Sequence, residues 1–222
     1  MFNKILFLKR DNDFFSKKIV SELKKKSRYL MVISTDRSKV KINHSAKFDF
    51  ILSFRSHHIL KKKLIKKAKY GAINFHPGPP EYRGIGCVNY ALYENSKNYG
   101  VTAHLIDEKI DHGKIINTKM FKIKKNDSVE SLLQKTYNFQ VKQAIQIIRA
   151  LSDDPKNLQK MVKSNKEKKW SKKIKKRNFL NKFYAISKNI SRIELKKKIR
   201  ATVTKKFKPY VIIHGVKFTY AD

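Results

Sequence analysis

Two side chains suited to acyl transfer lie two residues apart at the end of an apolar run. Asn74 and His76 belong to the run Ile73-Asn74-Phe75-His76, and residues i and i+2 of a strand project to the same side. An imidazole moves protons near neutral pH, and an amide N–H₂ stabilises a developing oxyanion. Asp111 lies in a predicted loop between two strands and can orient the imidazole. We therefore predict that Asn74, His76 and Asp111 form a catalytic group.

The elements around this group alternate between strands and helices. Apolar runs predict strands over residues 4–8, 29–34, 48–54 and 71–75, and helices are predicted over residues 14–26 and 59–69. This order favours an α/β fold with a doubly wound, Rossmann-like, mostly parallel sheet, whose ligands bind beyond the carboxyl ends of the strands. The loop after Phe75 lies at such an end. Residues 8–13 contain no glycine, so we do not expect the sheet to bind NAD in the usual way.

The second half of the chain is predicted to add the last strands of the sheet and then to form a linker and a small C-terminal subdomain. Strands are expected over residues 100–106 and 115–123, and a helix over residues 128–151 begins at the capping box Asp127-x-x-Glu130. We predict a catalytic domain over residues 1–151, a linker over residues 152–177, and a small C-terminal subdomain with a helix and a β-hairpin over residues 178–222. Trp170 is the one large anchor of the linker, and both stacking on a nucleotide base and packing on the domain surface are open to it.

The charge of the chain is concentrated outside the catalytic candidates. The sequence has 53 Lys and Arg against 17 Asp and Glu, a formal net charge of +36, so a polyanionic partner has to be considered first. Residues 71–118, however, carry a net charge of −1, whereas the two flanks carry +15 and +22. Lysines number 44 and arginines only 9, although phosphate and base recognition favours the arginine fork. We therefore expect solvated, lysine-rich faces and no stable nucleic-acid partner.

The composition also excludes several classes of protein. Hydrophobic residues make up 41% of the chain, which excludes global disorder. No apolar stretch approaches the roughly 18–20 residues of a membrane span, so no transmembrane segment is expected. The single cysteine, Cys87, excludes an intramolecular disulfide and a cysteine-based zinc site, and it fits a reducing cytoplasm. Because no pair of histidines has the i, i+4 spacing of helical metal ligands, no metal site is predicted.

Three motifs around the catalytic candidates are shared with a known family. They are Asn74-x-His76-Pro77-Gly78-Pro79-Pro80-x-Tyr82-Arg83-Gly84, Gly100-Val101-Thr102-x-His104 and Ile110-Asp111-x-Gly113. Together they resemble the 10-formyltetrahydrofolate-dependent formyltransferase family, and the proline-rich loop is most similar to the branch that N-formylates nucleotide-linked amino sugars. The resemblance implies that Asn74, His76 and Asp111 hold the formyl carbonyl and manage the proton of the attacking amine. His104 is expected to be a buried, hydrogen-bonded support for the site.

The same resemblance implies where two ligands bind. Folate, as 10-formyltetrahydrofolate, is expected at Ser53, Phe54, His57, His58, Ile59, Leu105, Ile110 and Gly113. His57 and His58 stand where relatives often have Arg beside an apolar or aromatic residue. The amino sugar is expected at Pro79, Tyr82, Arg83, Gly84 and Tyr90. Core packing is the alternative for Tyr82 and Tyr90, and bracing of its own loop is the alternative to diphosphate contact for Arg83.

The implied reaction is formyl transfer to the amine of a nucleotide-linked amino-dideoxysugar, such as a 4-amino-4,6-dideoxyhexose, for surface polysaccharide such as O-antigen. One alternative is a methionyl-tRNA formyltransferase-like enzyme, which the net charge favours. The β-barrel domain expected of that enzyme does not fit in the roughly 45 residues after Arg177. A basic nucleic-acid-binding or membrane-binding module without catalysis is a second alternative. Relatives further imply a homodimer formed through the C-terminal half.

Overall fold

A computed structural model of the chain describes residues 1–34 and 45–221. In chain order the elements are β1 (Phe2–Lys9), α1 (Ser16–Lys26), β2 (Ser27–Ser34), β3 (Phe48–Phe54), α2 (Lys62–Ile65), β4 (Ala68–His76), α3 (Cys87–Tyr93), β5 (Asn98–Leu105), β6 (Ile115–Lys122), α4 (Val129–Asp153), α5 (Asn157–Ser164), α6 (Arg177–Tyr184), α7 (Arg192–Thr202), β7 (Tyr210–Ile213) and β8 (Val216–Thr219). Within the described residues, no helix is both long enough and apolar enough to cross a bilayer.

The first six strands form one sheet in the order β2-β1-β3-β4-β5-β6. The pairs β1–β2, β1–β3 and β3–β4 are parallel, and β4–β5 is antiparallel. This confirms the predicted α/β fold with a mostly parallel, Rossmann-like sheet. In the antiparallel pair, Asn74 lies opposite His104 and His76 lies opposite Thr102. The pairing therefore brings two of the sequence motifs side by side.

The central strands are buried on both faces, as parallel sheets require. In β1, Phe7 packs with Ile19 of α1, Phe50 of β3 and Ile148 of α4 on one face of the sheet. Leu6 packs with residues of β3 and β4 on the other face. Burial of this apolar surface stabilises the strand framework and gives β4 a rigid support.

Two helical predictions are wrong in detail. The helix predicted over residues 59–69 shortens to α2 (Lys62–Ile65), because β4 already begins at Ala68, which pairs with Phe48 of β3. The cap of α4 also lies one residue later than predicted. Ser128 Oγ accepts a hydrogen bond from the Ser131 N–H at 3.2 Å, whereas Asp127 Oδ2 accepts from the Lys124 N–H at 2.7 Å. The predicted C-terminal hairpin is confirmed as β7–β8.

Packing divides the chain into two compact units. The first unit consists of Met1–Pro77, Val101–Lys119 and Tyr137–Trp170, and the second consists of Gly78–Gly100, Met120–Thr136 and Ser171–Asp222. The catalytic candidates all belong to the first unit, and the residues predicted to bind the sugar all belong to the second. The sequence-based domain limits at residues 151 and 177 stay a prediction.

Candidate active site

The end of β4 presents Asn74 and His76 on the same face of the sheet. Phe75, between them, points to the opposite face, and its ring is buried in the core with 1% exposure. The side chain of Gln140 on α4 donates a hydrogen bond to the Phe75 carbonyl. Gln140 is fully buried, so no water competes for this hydrogen bond. The bond therefore fixes the peptide between Phe75 and His76.

Asp111 reaches His76 through a loop that folds back on itself. Since β5 is antiparallel to β4, it ends at Leu105 beside Ile73, and the following residues return toward the end of β4. Asp111 Oδ2 lies 3.3 Å from His76 Nδ1, and both side chains are at least 90% buried, at 10% and 3% exposure. Asp111 has a φ of +43°, in the left-handed region that L-residues seldom adopt. The structure thus brings together the three residues predicted to be catalytic.

His104 joins the same cluster from β5. Its Nδ1 lies 2.7 Å from the Leu105 carbonyl, and its Nε2 lies 3.1 Å from Asn74 Nδ2 and 3.4 Å from Asp111 Oδ1. A carbonyl oxygen only accepts hydrogen bonds, so in neutral His104 the proton is on Nδ1 and Nε2 accepts from the Asn74 amide. This bond orients the Asn74 amide nitrogen toward the site. The expectation that His104 is buried and hydrogen-bonded is confirmed.

Gly113 and Trp170 lie beside the cluster formed by Asn74, His76, His104 and Asp111. A Cβ on Gly113 would lie 1.9 Å from the Leu105 carbonyl oxygen, so only glycine allows this approach of the loop to β5. The Gly113 carbonyl accepts a hydrogen bond from Trp170 Nε1 at 2.9 Å. The indole is nearly perpendicular to both imidazoles, with ring centroids 5.5 Å apart for His76 and 5.0 Å apart for His104.

The residues predicted to bind folate lie at the ends of β3 and β5 and in the loops that follow these strands. Ser53 and Phe54 are buried and pair with β1 and β4, so their contact with folate stays a prediction. Ile59 and Ile110 are exposed apolar residues, at 70% and 56%. Burial lowers the pKa of His58, so this imidazole favours its neutral form. His57 is exposed, and Leu105 and Gly113 pack within the loop described above.

Four of the five residues predicted to bind the sugar are buried within the second unit, and Gly84 is half-buried. The Tyr82 hydroxyl donates to Glu94 Oε2 at 2.7 Å and contacts Ser96 Oγ at 2.5 Å. Burial raises the pKa of Tyr82 to about 12, the Ser96 hydrogen bond opposes this rise, and Glu94 adds to it. Gly84 has a φ of +102°, and a Cβ there would lie 2.3 Å from the Lys175 carbonyl oxygen. This geometry assigns packing roles to Tyr82 and Gly84, and their contact with a substrate stays a prediction.

Pro79, Arg83 and Tyr90 complete this group. Pro79 accepts a turn hydrogen bond from the Tyr82 N–H at 3.0 Å, and the Arg83 side chain is 7% exposed. Lys175 Nζ lies 4.2 Å above the Tyr90 ring, a cation–π contact. The buried Tyr90 hydroxyl has no hydrogen-bond partner among the described residues. A buried, unpaired hydroxyl is costly, and this suits a residue that meets a polar ligand.

Two residues of the cluster were not predicted from the sequence. Gln140 lies four residues before Ala144 on the buried stripe of α4, and a polar residue at an apolar position was the signal that could have identified it. Trp170 was expected either to anchor the linker on the domain surface or to stack on a nucleotide base. Neither its spacing nor its neighbours in sequence indicate a contact with His76. Among the described residues, no group of His, Cys, Asp or Glu is arranged to hold a metal ion.

Comparison with known proteins shows which family and which relatives this chain resembles. The family model described as formyl transferase matches residues 8–148. The chain is 39% identical over 88 residues to a bifunctional polymyxin resistance protein ArnA from Wigglesworthia glossinidia brevipalpis, covering 39% of this chain and 14% of that protein. It is 38% identical over 78 residues to a methionyl-tRNA formyltransferase from Thermodesulfovibrio yellowstonii, covering 35% of this chain and 25% of that protein. The chain therefore spans a quarter or less of these two relatives.

Solved structures with the same fold superpose on nearly the whole chain. A 4-N formyltransferase from Francisella tularensis superposes with a TM-score of 0.71 at 20% identity, covering 99% of this chain and 96% of that chain. An N-formyltransferase from Helicobacter canadensis, in complex with folinic acid and dTDP-3-aminofucose, superposes with a TM-score of 0.66 at 19% identity, covering 97% and 85%. At such identities the likeness establishes the fold.

Proposed function

The chain belongs to the formyl transferase family, and from that premise we propose that it transfers a formyl group from 10-formyltetrahydrofolate to the amine of a nucleotide-linked amino-dideoxysugar. A 4-amino-4,6-dideoxyhexose destined for surface polysaccharide is the acceptor that we favour. The single observation that carries the proposal is the buried cluster in which Asp111 lies within 3.3 Å of His76 and within 3.4 Å of His104.

His76 is the proton acceptor in this account. With the proton of its neutral form on Nδ1, directed at Asp111 Oδ2, the lone pair is on Nε2. An amine attacks a formyl carbon only in its unprotonated form, so Nε2 takes the proton that the amine loses as the new C–N bond forms. The same proton is then returned to the folate nitrogen as its bond to the formyl carbon breaks. Atoms and charges balance, and the products are a formamide and tetrahydrofolate.

Asn74 stabilises the charge that develops on the formyl oxygen. One N–H of its amide is directed at His104 Nε2. The other N–H is the one that can donate to the oxygen in the transition state. A fixed donor of this kind needs no reorganisation during the reaction. His104 supports this step by holding the amide in a single orientation.

The residues around the cluster fit a folate co-substrate. Ile59 and Ile110 expose apolar side chains from the loops after β3 and β5, and such side chains suit a flat heteroaromatic ring. The half-buried, neutral-favouring His58 adds an uncharged hydrogen-bonding group. The folate would supply the activated formyl group. This chain supplies the amide, the two imidazoles and the carboxylate.

A second acceptor is favoured by a separate observation. The aligned curated relatives include a methionyl-tRNA formyltransferase, and the net charge of +36 suits a polyanionic substrate. Charged initiator tRNA is therefore the alternative acceptor. The homodimer, the cytoplasmic location and the absence of a stable nucleic-acid partner stay predictions from the sequence.

An acceptor panel tests the proposal. The protein is incubated with 10-formyltetrahydrofolate and, separately, with nucleotide-linked 4-amino and 3-amino sugars and with charged initiator tRNA, and products are detected by mass spectrometry. We expect a mass gain of one formyl group on a sugar nucleotide. Formylation of the tRNA alone would transfer the proposal to the alternative acceptor. Formylation of no acceptor, by a protein that remains folded, would contradict it.

A further inference from the structure

Trp170 contacts both imidazoles of the active-site cluster. Its ring lies edge-on to His76 and to His104, with interplanar angles of 78° and 84°. Perpendicular packing at this separation is a favoured geometry for aromatic pairs. Trp170 is also the only tryptophan of the chain. No step of the reaction described above uses it.

The indole is fixed by more than ring packing. Its Nε1–H donates to the Gly113 carbonyl, and Gly113 lies against Leu105, whose carbonyl accepts from His104 Nδ1. A closed circuit of contacts therefore runs from the indole through the loop that carries Asp111 and back to one of the two imidazoles. Displacement of any member of this circuit would move the others.

The location of Trp170 in the chain makes this arrangement informative. It follows residues 166–169, which are exposed, and it is itself half-buried. Ordering an exposed segment so that one large side chain packs on two buried imidazoles costs conformational entropy. The contacts of that side chain must offset this cost. If Trp170 only covered apolar surface, the hydrogen bond to Gly113 and the two perpendicular ring contacts would not both be required.

We propose that Trp170 is a positioning residue, which holds the imidazoles of His76 and His104 in the orientation that proton transfer requires. The proposal rests on the proposed formyl transfer, because it assigns a task to Trp170 within that reaction. Its action is through His76 and His104. Removal of the ring should therefore lower kcat while the KM for 10-formyltetrahydrofolate changes little.

Kinetics of three variants form the first arm of the test. Trp170→Phe keeps an aromatic ring and loses the N–H donor, and Trp170→Leu loses both. We expect kcat to fall about 10-fold for Trp170→Phe and about 100-fold for Trp170→Leu, as for other small displacements of reacting groups. Tyr29→Leu removes an exposed ring from edge strand β2 and should leave kcat unchanged. Partial rescue by Phe separates a ring contact from a general loss of packing.

The second arm does not depend on any acceptor. The imidazole C–H resonances of His76 and His104 are assigned with Asn variants of each residue and compared between the wild type and Trp170→Leu. Because an indole ring shifts the resonances of groups beside it, these two histidines should move, whereas His57 and His214 should not. Unchanged His76 and His104 resonances would overturn the proposal.

Two further results would also overturn it. A Trp170→Leu enzyme with kcat within about threefold of wild type would show that the imidazoles need no such support. A rise in the KM for the acceptor with unchanged kcat would show that Trp170 binds substrate, for example by stacking on a base. If the wild-type protein formylates no acceptor, the proposed function fails, and the resonances then test only whether Trp170 contacts the two imidazoles.

Discussion

At the scale of single residues, the site places one carboxylate between two imidazoles. Asp111 faces Nδ1 of His76 with one oxygen and Nε2 of His104 with the other. The carboxylate can thus hold the His76 tautomer that leaves Nε2 as a base. The same loop contains a second aspartate, Asp107, whose Oδ2 contacts His112 Nδ1 at 2.6 Å on the surface. Two aspartates of one described loop therefore contact histidines in different surroundings, Asp111 in the buried cluster and Asp107 on the surface.

This pairing gives the first prediction. Asp111→Asn removes the charge that orients His76, and we expect kcat to fall by about 100-fold to 1,000-fold, with little change in the melting temperature. Asp107→Asn is the matched control. Burial opposes ionisation of Asp107, but hydrogen bonds from His112 and the Lys109 N–H outweigh it and lower its pKa, so this variant also removes a charge. Equal losses of kcat in the two variants would contradict the role of Asp111.

At the scale of secondary-structure elements, helix α4 supports the end of β4 through a buried amide. Gln140→Leu keeps the bulk and removes the donor to the Phe75 carbonyl, which should reduce the free energy of unfolding by about 1–3 kcal/mol. The lower end of this range is expected, because Gln140 Oε1 has no described partner and its removal relieves a penalty. Urea unfolding measures the change. Gln159→Leu, at an exposed position of α5, should have no effect.

Helices α1 and α4 are also joined by an ion pair that depends on pH. Hydrogen bonding from Arg149, whose Nε lies 2.7 Å from Glu22 Oε1, lowers the pKa of Glu22 below its usual value of 4.5 against the opposing effect of burial. A lowered carboxyl pKa stabilises the folded state above the unfolded-state pKa, and this stabilisation is lost as the pH falls through the folded-state pKa. Glu22→Gln should therefore lower the melting temperature at pH 7 and have no effect well below pH 4.5. A difference that persists in acid would contradict this origin.

The elements also show what the sequence could and could not predict. The alternation of strands and helices, the mostly parallel sheet and the proximity of Asn74 and His76 follow from local periodicity, because a buried strand has a recognisable apolar pattern. The short α2 could not be predicted, since pairing of Ala68 with Phe48 depends on a strand that is distant in sequence. The contacts of Trp170 depend on the path of the chain after α5, which no local pattern encodes.

At the scale of the whole molecule, the unbalanced charge should affect stability. With 53 Lys and Arg against 17 Asp and Glu, most cations have no carboxylate with which to pair. Their mutual repulsion destabilises the compact state and is screened by salt, with a Debye length of about 30 Å at 0.01 M and about 8 Å at 0.15 M. We expect the urea midpoint to rise with NaCl over this range. A midpoint that falls would show that attractive ion pairs dominate.

The account as a whole depends on formyl transfer by the cluster around His76. The most direct measurement follows a ¹³C-labelled formyl group from 10-formyltetrahydrofolate to the acceptor amine, for the wild-type protein and for His76→Asn. We predict transfer by the wild type and a turnover about 1,000-fold to 10,000-fold lower in His76→Asn, with its melting temperature unchanged. Near-normal turnover in His76→Asn would contradict the mechanism.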